Sequence, residues 1–139
     1  MGARSPAMKE ALRAVLVADA GVAALVAKRV AWGARPRMSE LPSIALHQVS
    51  GVRHYAMQGA SGLVTARVQI DCWAASNKDA TGVADAVNAA IGGLKTSVRG
   101  VQLQGCFLES EIDFVDDQGA TPAELLHRVS LDFMVWHSE

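Results

Sequence analysis

Three segments of the chain alternate apolar and polar residues with a period of two, a pattern that specifies strands of a sheet with one dry face and one wet face. The clearest is Leu63–Trp73, where Val64, Ala66, Val68, Ile70 and Cys72 alternate with Thr65, Arg67, Gln69 and Asp71. Val101–Val115 repeats the plan, with Leu108, Ile112 and Phe114 expected on one side and Glu109, Glu111 and Asp113 on the other. In Leu126–His137, Val129, Leu131, Phe133 and Val135 oppose Arg128, Ser130, Asp132, Met134 and Trp136. The short connection between the last two segments favours antiparallel pairing.

Elsewhere the period is helical. Ser5-Pro6 marks a helix start, a hydroxyl followed by proline in the first turn, and Met8, Leu12, Val15 and Leu16 then share one face. Asp19 is a second cap candidate, leading through Val22, Leu25 and Val26. Ser76, with Asp79 three residues on, opens a helix whose stripe is Ala80, Val83, Ala84, Val87, Ile91 and Leu94, ended by Gly92-Gly93. Val30–Trp32 and Ser43–Ser50 read as strands, with a proline-rich loop between them. Gly51–Gly62 is either a long hairpin loop or a strand extension. The expected fold is α+β: an antiparallel or mixed β-sheet with helices packed on one face, in the order α-α-β-β-β-α-β-β. With 139 residues the chain is expected to be a single domain, 1–139.

Composition narrows the function classes. Hydrophobic residues are 50% and charged residues 19%, which suits a packed core and not a disordered chain. A net charge of −1 is unlike a nucleic-acid coat, which is strongly basic. No apolar run is long enough to span a membrane. Lys9, Glu10 and Arg13 interrupt the N-terminal apolar stretch, so it is read as a helix and not a secretory leader, and the chain is expected to stay in the cytoplasm where it is made. Cys72 and Cys106 form no CxxC and read as buried thiols.

Motifs for chemistry are missing. His47, His54, His127 and His137 have no HxH or HExxH spacing, Gly59-Ala60-Ser61-Gly62 is one residue short of a nucleophile elbow, and neither a phosphate loop nor a dinucleotide fingerprint occurs. The row Glu109, Glu111 and Asp113 could in principle bind a divalent metal, which makes a small metal-dependent hydrolase an alternative reading. A monomeric protein-binding adaptor is a second alternative. Neither catalytic residues nor a cofactor or metal site is assigned.

Charge is segregated along the chain. From Lys28 to Arg67 there are six bases (Lys28, Arg29, Arg35, Arg37, Arg53 and Arg67) and one acid, Glu40. From Glu109 to Glu139 there are eight acids and one base, Arg128. Pairing between neighbouring strands would explain this. So would self-association, in which unlike patches of successive copies meet and close a ring.

Four segments carry a resemblance: KEALRAVLVADAGVAALVAKRVAWGARP, LPSIALHQVSG, GLVTARVQIDCWA with its following helix, and RVSLDFMVWH. The chain resembles the tail-completion, or tail-terminator, proteins of long-tailed bacteriophages and gene transfer agents. The likeness runs from about Ala7 to the end and specifies a fold, not a catalyst. It implies a structural virion component that forms a homo-oligomeric ring, a hexamer, capping the tail tube and joining it to the head connector at the head–tail junction. DNA would pass through without sequence-specific binding, and no membrane is involved. Candidate contacts to neighbouring subunits or the tube are the loop residues Arg35, Arg37, Met38, Arg53, His54, Tyr55 and Met57. Glu109, Glu111 and Asp113 are candidates for an acidic strand face lining the lumen or an interface.

Overall fold

The computed structural model describes residues 4–33, 41–57, 59–116 and 126–138. Its elements are α1 (Arg4–Ala18), α2 (Ala20–Val26), β1 (Val30–Trp32), β2 (Ser43–Ala56), β3 (Gly59–Ala74), α3 (Asn77–Ile91), β4 (Thr96–Val98), β5 (Val101–Asp116) and β6 (Leu126–Ser138). The six strands form one sheet in the order β1-β2-β3-β6-β5-β4. β1 runs parallel to β2 and every other pair is antiparallel, so the sheet is mixed.

The alternation on β3 and β6 places one face of the sheet under the helices. Val68, Ile70 and Cys72 pair with Phe133, Leu131 and Val129, and all six side chains are buried. α3 crosses β3 and β6, adding Val83, Val87 and Ile91 to the same core. Its start is fixed by Ser76, whose side-chain oxygen accepts from the Asp79 amide at 3.2 Å. Its end is tied to β5, where the Gly93 amide donates to the Cys106 carbonyl at 2.7 Å. Gly93 sits at φ +75°, the left-handed region that a helix exit favours. α1 contributes Met8, Leu12 and Leu16, the helical stripe that the spacing predicts, and Ala11 with them. Arg13 is not left in solvent: its Nε donates to the Val30 carbonyl at 2.7 Å and pins β1 beneath the helix. α2 is capped by Asp19, which accepts from the Val22 amide at 3.0 Å. No helix among the described residues is long and apolar enough to cross a membrane.

Four features refine the expectation. The first is an added strand, β4, three residues that pair with Val101–Leu103 and were not foreseen. The second is the Gly51–Gly62 segment, where of the two alternatives the strand extension is the one found, so Arg53, His54 and Tyr55 lie on β2 and not in a loop, and only Met57 is in the turn. β6 pairs with β3 only from Leu63 onward and β1 reaches only Leu46. The hairpin end therefore projects as a two-stranded arm. Gly59 at φ +125° and Gly62 at φ +81° allow it to turn where other residues would be strained.

The third departure is a bulge in β5. The register shifts between Leu108 and Ser110, leaving Glu109 as the extra residue. Before the bulge Leu108 pairs with Phe133 on the helix side; after it Ile112 pairs with Ser130 and Phe114 with Arg128. Leu108, Ile112 and Phe114 thus do not share a face. Glu111 and Asp113 pair with Leu131 and Val129, on the helix-side face but exposed beyond the helices. The fourth is the outermost pairing, parallel between β1 and β2, which decides for the mixed sheet of the two alternatives.

Candidate functional site

The uncovered face of the sheet carries the chain's polar and aromatic side chains in an ordered array. Arg67 on β3 chelates Asp132 on β6: its Nε donates to Oδ1 at 3.0 Å and Oδ2 at 2.9 Å, and its Nη2 also reaches Oδ2. These hydrogen bonds, then the charge of Asp132, raise the Arg67 guanidinium pKa further above its ordinary value. One register step away lies Asp71, a carboxylate only 2% exposed. It accepts from Gln69 Nε2 at 3.0 Å and lies 3.4 Å from Arg128 Nη1 and 3.6 Å from His47 Nε2. The Arg128 guanidinium is also held by rings, 4.2 Å from the Phe114 centroid and 5.2 Å from that of Trp73. A shallow cavity of about 390 Å³ opens here, lined in part by Val49, Arg67, Ile112, Phe114 and Arg128.

At the other end of this face His54 stacks on Trp136, centroids 5.5 Å apart and planes 8° from parallel, with His54 Nε2 2.6 Å from Thr65 Oγ1. This stack joins the base of the projecting arm to β6. Beyond it Tyr55 is 72% exposed and Met57 fully so. Arg53 is exposed as well.

The sequence candidates thus separate. His54, Tyr55 and Met57 are gathered on one arm, with Arg53 at its foot opposite Val64, which β6 still pairs. Arg35, Arg37 and Met38 lie outside the described residues. Glu109, Glu111 and Asp113 are exposed on β5, with Glu111 and Asp113 on one face and Glu109 in the bulge. Among the described residues no group of three or more histidine, cysteine or acidic side chains is placed to hold a metal ion. The ion pairs between Arg67 and Asp132 and between Asp71 and Arg128 were open to sequence reasoning as cross-strand options. The apolar lining of the cavity by Ile112 and Phe114 was not, because it depends on the bulge.

The two cysteines are core residues. Burial pushes the Cys72 thiol up, with Asp71 and Glu111 adding to it, and burial pushes Cys106 up to about 11. Both shifts favour the neutral thiol of the folded chain. Their contribution to stability is whole below the ordinary thiol range and is lost as pH rises through that range towards the folded values. At about pH 8 both thiols are expected to resist iodoacetamide in the native protein and to react readily in denaturant, as read by intact mass. Rapid native modification of either would contradict this burial.

The sheet thus has one dry face, one polar and aromatic face, and exposed apolar side chains on β2 and β5. The chain matches the family model of tail completion protein gp17 over residues 10–138. It belongs to that family, whose members are structural virion components and not enzymes. Its fold is similar to a chain in the virion of a native gene transfer agent particle, with 20% sequence identity, TM-score 0.79 and full coverage of both chains. No curated protein matches the chain. The protein is accordingly a structural component of a phage-type tail.

Proposed function

We propose that this chain, acting as one domain over 1–139, is a tail terminator. Its copies close into a ring, a hexamer, which caps the finished tail tube, stops further tube-protein addition and docks the head connector. It assembles in the host cytoplasm and then resides at the head–tail junction, with DNA crossing its centre in transit. The family match over residues 10–138 carries this reading. The absence of strong net charge, −1 over the chain, agrees with a conduit that reads no sequence. The partners are further copies of the chain, the tail tube protein and the connector. Arg53 at the foot of the arm and His54, Tyr55 and Met57 on it, with Arg35, Arg37 and Met38, serve as contacts to subunits or tube. Glu109, Glu111 and Asp113 serve at an interface or the lumen.

Deletion of the gene tests the proposal. Electron micrographs of the deletion strain are expected to show tails of irregular length, unattached to filled heads, and a plasmid copy is expected to restore joined particles. Normal-length, fully joined particles without the protein would reject it.

A further inference from the structure

We infer that in the assembled ring the β2–β3 arm of one copy packs against the outer half of β5 of the next copy. This rests on the ring reading above and adds which two surfaces meet. Apart from Leu25, every large apolar side chain that is exposed among the described residues lies on β2 with its turn or on β5. On the arm side Val52, Tyr55 and Met57 are 55%, 72% and 105% exposed. On the other, Phe107, Ile112 and Val115 are 50%, 53% and 57% exposed. Apolar groups gathered in this way mark a surface that is covered in use.

The two surfaces are complementary in charge. From Leu41 to Ile70 the chain has no acid, and of its two bases Arg53 lies at the foot of the arm while Arg67 is chelated by Asp132; from Gly100 to His127 it has acids and no Lys or Arg. They cannot meet within one chain. β2 and β5 are separated by β3 and β6, and the arm's turn lies at the end of the sheet opposite the β5–β6 connection. Unlike patches at opposite ends and edges of one sheet make a head-to-tail contact, the kind that closes rings. A two-stranded ribbon is also marginal by itself in water, so an arm paired only with itself is completed by a neighbour. Bulges at Val49 and Glu109 interrupt β2 and β5 where each runs beyond its short outer neighbour, which favours contact through side chains over an extended ladder.

The test complements a deletion strain with Arg53→Glu, with Glu111→Lys/Asp113→Lys, or with all three changes in one chain. Each contact takes its arm from one copy and its β5 from the next, so the combined chain restores opposite charges at every contact. Either reversal alone is expected to lower the copies incorporated per purified particle about tenfold or more, and the combination to recover most of that loss. Circular dichroism of each purified variant confirms folding. In parallel, p-benzoylphenylalanine replaces Met57, and cross-links between isotopically distinct copies are mapped in particles that hold both. They are expected within residues 107–115. Cross-links only to the helix layer or to another protein would overturn the inference and leave the ring reading standing. So would normal incorporation of both charge reversals, including the case in which Glu111→Lys/Asp113→Lys particles assemble but stall in DNA delivery, which assigns the acids to the lumen. Wild-type particles without a ring of this chain would remove the ring reading itself.

Discussion

Replacing Phe133 with alanine is expected to lower folding stability by about 3–5 kcal/mol, the range for deleting a buried aromatic ring. Phe133 is the largest fully buried side chain of the core among the described residues. It faces the helices from β6, in the middle of the sheet, flanked by Val68 on β3 and Leu108 on β5. The void left by the ring is bounded by two strands on which the sheet depends, so little collapse can fill it. Against a total of about 5–15 kcal/mol for a domain of this size the loss is large. Thermal melting of the purified protein is expected to shift downward by on the order of 10 °C or more. A shift of a degree or two would mean that β6 does not occupy this position.

The second large effect concerns Asp71. Asp71→Ala is expected to lower stability by about 3 kcal/mol, toward the low end for breaking a buried ion pair because Arg128 retains some contact with water. The carboxylate is nearly inaccessible, and its removal leaves Arg128 between the rings of Trp73 and Phe114 without its countercharge. Gln69 loses its acceptor at the same time. The double variant Asp71→Ala/Arg128→Met is expected to recover at least half of the loss, since an apolar side chain suits the space between two rings and no charge is stranded. Chemical denaturation of the two variants checks this. Equal stability of Asp71→Ala and the wild type would show that the pair contributes nothing.

Much of the architecture was legible from residue order, and the exceptions have local causes. β3 and β6 were readable because their alternation is unbroken, and a single unbroken strand suffices to say which side is dry. α1 and α3 were readable from their stripes and, for α3, from the Ser76 cap. The Gly51–Gly62 segment stayed open between loop and strand extension because glycines carry no side chain to alternate; its backbone is paired strand. β4 was invisible since three residues cannot display a period. On β5 the alternation was real but its phase was wrong: one inserted residue at Glu109 leaves the composition unremarkable and inverts the facing of every later side chain on the strand. The same cause hid the open-face cavity, for Ile112 and Phe114 reach it only after that inversion. The parallel pairing of β1 with β2 depends on a three-residue strand docking under α1, a tertiary contact with no local signature. Arg67–Asp132 and Arg128–Asp71 were among the options offered by alternation, but only the register chose them.

The bulge at Glu109 also makes β5 unusually adjustable. Losing that single codon would remove the bulge and leave every downstream side chain opposite the partner it has now. Ile112 and Phe114 would stay on the open wall opposite Ser130 and Arg128, and Glu111 and Asp113 would stay opposite Leu131 and Val129. Everything upstream, Cys106 and Leu108 included, would keep its seat. The scaffold can therefore lose one residue at this point without disturbing either half of the strand.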